Sequence, residues 1–166
     1  YYKTFMWPAS FWEKYEFFIR HSAGLGKSPT EKDPDIYDHR NIHCDVLVVG
    51  AGISGILAAK NAAKNNFKTL LVDEKNELGG STIYQNKEFN KINNQGSSDW
   101  IKKEINELKN IDNLEVKTRT SVAAYHGYNY LLARENLTDH LEKKDKNNKV
   151  RQRLLKIRAK KVILAT

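Results

Sequence analysis

Val46-Leu47-Val48-Val49 runs without a spacer into Gly50-Ala51-Gly52-Ile53-Ser54-Gly55, and this junction constrains the fold more than any other part of the chain. A continuous, largely β-branched apolar run is what a strand buried on both faces of a parallel sheet requires. Beyond the glycines, Ile53, Ile56, Leu57 and the small residues Ala58, Ala59, Ala62 and Ala63 recur at helical spacing to about Asn65. Asn65-Asn66 stands where a Gly usually turns the chain, and Asn tolerates the left-handed conformation that such a turn needs. Thr69 to Val72 reads as a second short strand, ending in Asp73 and Glu74. The whole is a βαβ unit of about 30 residues, so residues 45–166 are expected to form an α/β, Rossmann-like domain.

Taken alone, Gly-x-Gly-x-x-Gly is a weak signal. Here the strand before it, the helix after it and an acid at the right distance make it a dinucleotide fingerprint. Gly50 permits the sharp turn, Gly52 leaves room for a pyrophosphate to approach the backbone, and Gly55 lets the helix lie close to the strand. Backbone N–H groups from Ala51 through Ile53 and Ser54 are expected to hold the diphosphate at the positive end of the helix dipole. The ribose carboxylate is Asp73 or Glu74; Asp73, 23 residues after Gly50, is the first choice. Two adjacent carboxylates, with no basic side chain before Lys75, disfavour a 2′-phosphate and hence NADP.

The doublet Gly79-Gly80, followed by Ser81, sharpens the class. It resembles the extended fingerprint of the FAD/NAD-linked reductase and flavin amine oxidase superfamily, the two-dinucleotide-binding type, in which this loop passes close to the dinucleotide. Ile163-Leu164-Ala165-Thr166 resembles that superfamily's next fingerprint, and the position of Val122 is where such families set the adenine against backbone. Superfamily resemblance implies FAD in this site.

A closer resemblance rests on Trp12-Glu13-Lys14-Tyr15-Glu16, Ile19-Arg20, Ala23-Gly24-Leu25-Gly26-Lys27, Asp33-Pro34-Asp35 and His43 through Gly50. Thr138-Asp139-His140-Leu141 and Arg151-Gln152-Arg153-Leu154 agree with it. These segments are similar to the α subunits of heterotetrameric sarcosine oxidases. That likeness implies a longer chain, with a ferredoxin-like domain before this segment and a folate-binding domain after it. It implies partner β, γ and δ subunits, and oxidative demethylation of sarcosine to glycine with hydrogen peroxide and either formaldehyde or methylene-tetrahydrofolate as products. It further implies NAD in this site, with FAD and a covalent FMN in or against the β subunit. NAD is therefore expected here first and FAD second. No catalytic residue is recognisable in the chain, and amine oxidation at a flavin in the partner subunit would need none.

The remaining segments are less patterned. Residues 1–44 are expected to be an aromatic docking segment, with a short helix from Phe11 to Arg20 that carries Phe11, Tyr15, Phe18 and Ile19 on one side and is ended by Gly24 and Gly26. Phe5 and Trp7 belong to the same aromatic stretch. Tyr84 to Gly96 reads as polar loop; Ser97, Ser98 and Asp99 offer caps for a helix through Ile101, Ile105 and Leu108. Val116 to Ala124 reads as a strand, and Tyr125 to His140 as either hairpin or helix. Arg151–Arg158 and Lys161–Ala165 read as two strands, with Glu142 to Lys149 a loop tip before them. A start at Tyr1 without Met and a stop right after an apolar strand are read as marks of a fragment, incomplete at its C-terminus.

Composition bounds what remains. Hydrophobic residues make up 40% and charged residues 29% of the 166, which suits a packed core and argues against disorder. The net charge of +8 could mark a nucleic-acid binder, but the lysines are scattered among Asn and Glu, so a solvated surface is the reading taken. No apolar run approaches the roughly 20 residues of a spanning helix, and a single cysteine, Cys44, fits a reducing compartment, so a cytoplasmic protein is expected. His39, His43 and Cys44 imitate metal-ligand spacing; Asp38 and Asn41 favour a turn there, and no second cysteine exists to complete a structural zinc site. Asn136-Leu137-Thr138 matches a glycosylation sequon and is read as chance.

Overall fold

A computed structural model describes residues 8–26, 30–84, 91–92, 94–142 and 149–166. The expectations for Phe5, Trp7, most of the loop tip before Lys149 and part of the polar loop after Tyr84 lie outside these residues. The chain divides into two compact units, 1–34 and 35–166.

The first unit holds one regular helix, α1 (Trp12–Ser22), entered through a 3-10 turn at Ala9–Phe11. Its end matches the expectation: Ala23 N–H donates to Ile19 O at 2.9 Å, Leu25 N–H to Arg20 O at 3.1 Å, and Gly24 takes φ 68°. An i,i+4 pair between Arg20 and Glu16 spans one turn. None of the helix's side chains is buried, and Phe18 is 68% exposed.

In the second unit β1 spans Ile36–Val49, α2 Ile53–Lys64 and β2 Thr69–Val72. β1 starts nine residues before the expected boundary at 44/45, so the turn expected around Asp38 and Asn41 is strand, with His39 and His43 on one of its faces and Cys44 on the other. A small hairpin, β3 (Lys91–Ile92) and β4 (Gln95–Gly96), leads into α3 (Ser97–Leu108). The expected caps lie inside that helix. Gly96 is its N-cap because β4 runs straight into the first turn, which leaves Ser97 and Ser98 buried there.

The stretch expected as one strand from Val116 is two, β5 (Leu114–Lys117) and β6 (Thr120–His126), separated at Arg119, whose φ of 52° breaks the extended backbone. The ambiguous segment after Tyr125 is a hairpin: β6 returns as β7 (Tyr130–Asn136) through the three residues Gly127–Asn129, of which Tyr128 and Asn129 take positive φ. The two strands expected at the end are one, β8 (Val150–Leu164).

The sheet order is β5-β2-β1-β8-β7-β6. The first four strands are parallel, and β7 and β6 are antiparallel. α2 and α3 cover one face, where Val46, Val48 and Leu71 pack with Ile56, Ala59, Ile101 and Leu108. Lys60 ties the helices together, reaching Glu104 and, at 2.7 Å, Glu107. On the other face Leu70 and Val72 of β2 share a core with Leu131 and Ala133 of β7. Those strands are three places apart in the sheet, so the sheet curls to enclose this second core.

A chain of charges crosses the mouth of the curl from β5 to β1. Lys117 Nζ lies 2.9 Å from Glu135 Oε1; Arg153 Nη1 reaches Glu135 Oε2 at 3.4 Å and grips Asp38 with two bonds of 2.7 and 3.0 Å. The Arg153 bond holds the Asp38 carboxyl below its ordinary pKa. Among the described residues no helix is long and apolar enough to cross a membrane.

Candidate dinucleotide site

Four backbone segments converge at the carboxyl ends of β1, β2 and β8. Val49 O accepts from Ala165 N–H at 2.8 Å, which brings the end of β8 against the turn after β1. Gly50 sits there at φ 98°, and a Cβ on it would lie 2.5 Å from Ala165 O, so only glycine fits. A Cβ on Gly55 would lie 1.8 Å from Gly50 O; this is the close helix-to-strand approach that the motif predicts.

Gly52 differs from both. It is the N-cap of α2, no side chain caps the helix start, and nothing lies within 4 Å of where its Cβ would be. The first N–H groups of a helix have no intrahelical acceptor, so this end is a cradle of donors with open space in front of it.

Asp73 braces the cradle. Its Oδ2 accepts from Ala51 N–H at 2.5 Å and its Oδ1 from Lys75 N–H at 2.8 Å. The second glycine doublet closes the other side: Gly79 N–H donates to Ala51 O at 2.7 Å, and Gly80 lies against the Gly52 backbone. The enclosed cleft measures about 410 Å³.

Of the residues expected from sequence, Gly50, Ala51, Gly52, Asp73, Glu74, Gly80, Ser81 and Val122 line this cleft. Ile53, Ser54, Gly55 and Gly79 do not: Ile53 packs into the helix-side core, Gly55 is buried beneath Gly50, and Gly79 faces Ile83 and Ile101. The first three lie on the opening turn of α2, where a backbone N–H is what each can offer. Thr120 and Ser121 also line the cleft, as does Lys75, although no local pattern marks them. Thr120 N–H donates to Asp73 O at 2.7 Å, directly after the break in the strand at Arg119.

Residues 45–160 match the family described as FAD dependent oxidoreductase. The chain belongs to this family. Within it, the chain is 40% identical over its whole length to a sarcosine oxidase subunit alpha from Rhizobium meliloti (strain 1021), covering 16% of that protein. It is 37% identical over 87% of its length to a sarcosine oxidase subunit alpha from Corynebacterium sp. (strain U-96), covering 15%. The chain thus spans about a sixth of the length of these curated relatives. Among solved structures, L-proline dehydrogenase from P. horikoshii superposes with a TM-score of 0.59 over 82% of this chain and 24% of that one, at 23% identity. At that identity the likeness speaks for the fold, the Rossmann-like fold expected from the glycine motif. As an FAD-dependent oxidoreductase family member, the chain carries the dinucleotide-binding part of an oxidoreductase.

Proposed function

We propose that the cleft holds the adenosine diphosphate half of a dinucleotide, with the diphosphate on the start of α2 and the ribose against Asp73 or Glu74. The observation that carries this reading is the open cradle at Gly52, set between the braced Asp73 carboxylate and the Gly80 backbone. Helix-start N–H groups and the helix dipole favour a diphosphate there. A neighbouring carboxylate accepts from ribose hydroxyls. Ser81 and Val122 complete the wall on which the adenosine half would rest. When bound, the dinucleotide supplies hydride or electron transfer; the chain's own residues bind and orient it.

Similarity to sarcosine oxidase α subunits supports this reading, with NAD as the occupant and β, γ and δ subunits as the partners of the chain. In that complex FAD, FMN and tetrahydrofolate serve the oxidative demethylation of sarcosine or a similar N-methyl amine. The buried, unpaired Cys44 suits a cytoplasmic complex. A second reading, FAD in this same cleft, is favoured by the family match.

The test is to express the complete gene with its neighbours, purify the complex, denature it, and identify the released dinucleotides by chromatography and mass spectrometry. NAD that disappears in Asp73→Ala while FAD persists supports the first reading. FAD as the only dinucleotide, lost with Asp73, supports the second. A purified chain with no adenine dinucleotide overturns both.

A further inference from the structure

The second unit has a solvent face that the dinucleotide does not use, and its charge is one-sided. Across β6, β7, β8 and β1 the paired positions His126, Tyr130, Arg158 and His43 form one outward row. The Arg158 guanidinium lies 4.9 Å from the Tyr130 ring centre, and the His126 ring lies 5.9 Å from it on the β6 side. The rows beyond add Lys156 and then Arg134 with His39. Arg134, Arg158, His39, His43 and His126 are exposed.

The inward rows of the same strands behave differently. There the two inward arginines of β8 are matched: Arg153 with Asp38 and Glu135, and Arg151 with Asp35 and Asp139. Outward, neither Arg134 nor Lys156 has a carboxylate partner among the described residues, and Arg158 donates to a backbone oxygen, that of Tyr128, at 3.2 Å. The one carboxylate at the margin of the face, Asp45, is already taken by Lys160 at 2.8 Å. Arg134, Lys156 and Arg158 are left to be matched from outside.

We propose that this face, centred on Arg134, Lys156 and Arg158, docks an acidic surface of a partner subunit. The proposal rests on the reading of the chain as part of a subunit. A hydrogen-bonded sheet loses little entropy on docking, and cations held in register give orientation as well as attraction. A nucleic acid is the poorer fit. The Tyr130 ring, on which a base would have to stack, is already flanked by Arg158 and His126.

The test uses the full-length chain co-purified with the subunits encoded beside it. Acetylation of Lys156 in the complex is expected to be at least about tenfold slower than in the isolated chain. The Arg134→Glu, Lys156→Glu, Arg158→Glu variant is expected to raise the dissociation constant of the complex at least about tenfold and to flatten its salt dependence, with dinucleotide content unchanged. Should loss of the Arg158 bond to Tyr128 impair folding, the Arg134→Glu, Lys156→Glu double variant leaves that bond intact and is read instead. Equal acetylation of Lys156 with and without partners, together with an unchanged dissociation constant, overturns the proposal. A full-length chain that elutes free of the co-expressed subunits does so too. Binding of an RNA 20-mer that the triple variant loses, with Lys156 unprotected in the protein complex, moves the face to nucleic acid and equally overturns it. Dinucleotide content measured on the same samples separates this outcome from failure of the cofactor reading.

Discussion

Ala51 N–H donates to Oδ2 of Asp73 at 2.5 Å, across 22 positions of sequence, and the other oxygen of the same carboxylate accepts from Lys75 N–H. The carboxylate therefore fixes the turn after β1 to the end of β2 while lining the cleft. Asp73→Ala removes both bonds and is expected to lower dinucleotide affinity by about 10- to 100-fold, the range for losing a charged hydrogen-bond partner. Glu74→Ala, which breaks no bond of the turn, should cost less. Titration of the purified complex with the released dinucleotide checks the order; equal losses in the two variants would remove Asp73 from its special place.

Gly52 and Gly55 make a paired experiment. Gly55→Ala forces a methyl to 1.8 Å from Gly50 O and should destabilise the fold by about 3 kcal/mol or more in urea unfolding. Gly52→Ala meets open space and should leave the unfolding midpoint nearly unchanged while obstructing the diphosphate. A Gly52→Ala protein that keeps its full complement of dinucleotide would contradict the placement of the diphosphate.

The grip of Arg153 on Asp38 has a signature at acid pH. Because the folded-state pKa of Asp38 is depressed, its contribution to stability is present above its unfolded value of 3.8 and is lost as the pH falls through the folded value. Arg153→Met should therefore lower stability at neutral pH and flatten the decline below about pH 4. Urea midpoints recorded down the acid limb test this; parallel curves for the two proteins would show that Arg153 does not set the Asp38 titration.

Cys44 offers a probe of the curled core. Burial raises its thiol pKa from 9.0 to about 11, which cuts the thiolate fraction near pH 8 by about 100-fold. A thiol reagent should label the folded protein at least that much more slowly than the urea-unfolded one. Comparable rates would mean that the core around Cys44 opens readily.

Much of the site is legible in the sequence because close approach leaves no substitute for glycine. Gly50 and Gly55 are each blocked by a backbone oxygen, and β2 was bounded from its four buried residues and the acids that follow. The first part of β1 is not legible in that way. Its outward positions are solvated and two inward positions, Asp38 and Arg40, are charged, so no apolar alternation marks it; what makes it a strand is β8, including the Arg153 grip. Thr120 and Ser121 enter the cleft through the strand break at Arg119, a positive φ on a residue type that does not advertise one. The start of α3 is not legible from its serines, because the preceding hairpin, not a serine side chain, determines it.

The pairing of β1 with β8 also sets the order in which the domain can assemble. Asp38 and Arg153 lie 115 positions apart, while β1 and β2 meet across a single helix. During synthesis the βαβ unit can condense early, yet Ile36–Cys44 has no strand to lie against until residues 150–164 have left the ribosome. Closing so large a loop is slow. Throughout that wait the nascent chain shows an unpaired edge, which makes this segment the place where a chaperone is most needed and where misassembly between chains would begin.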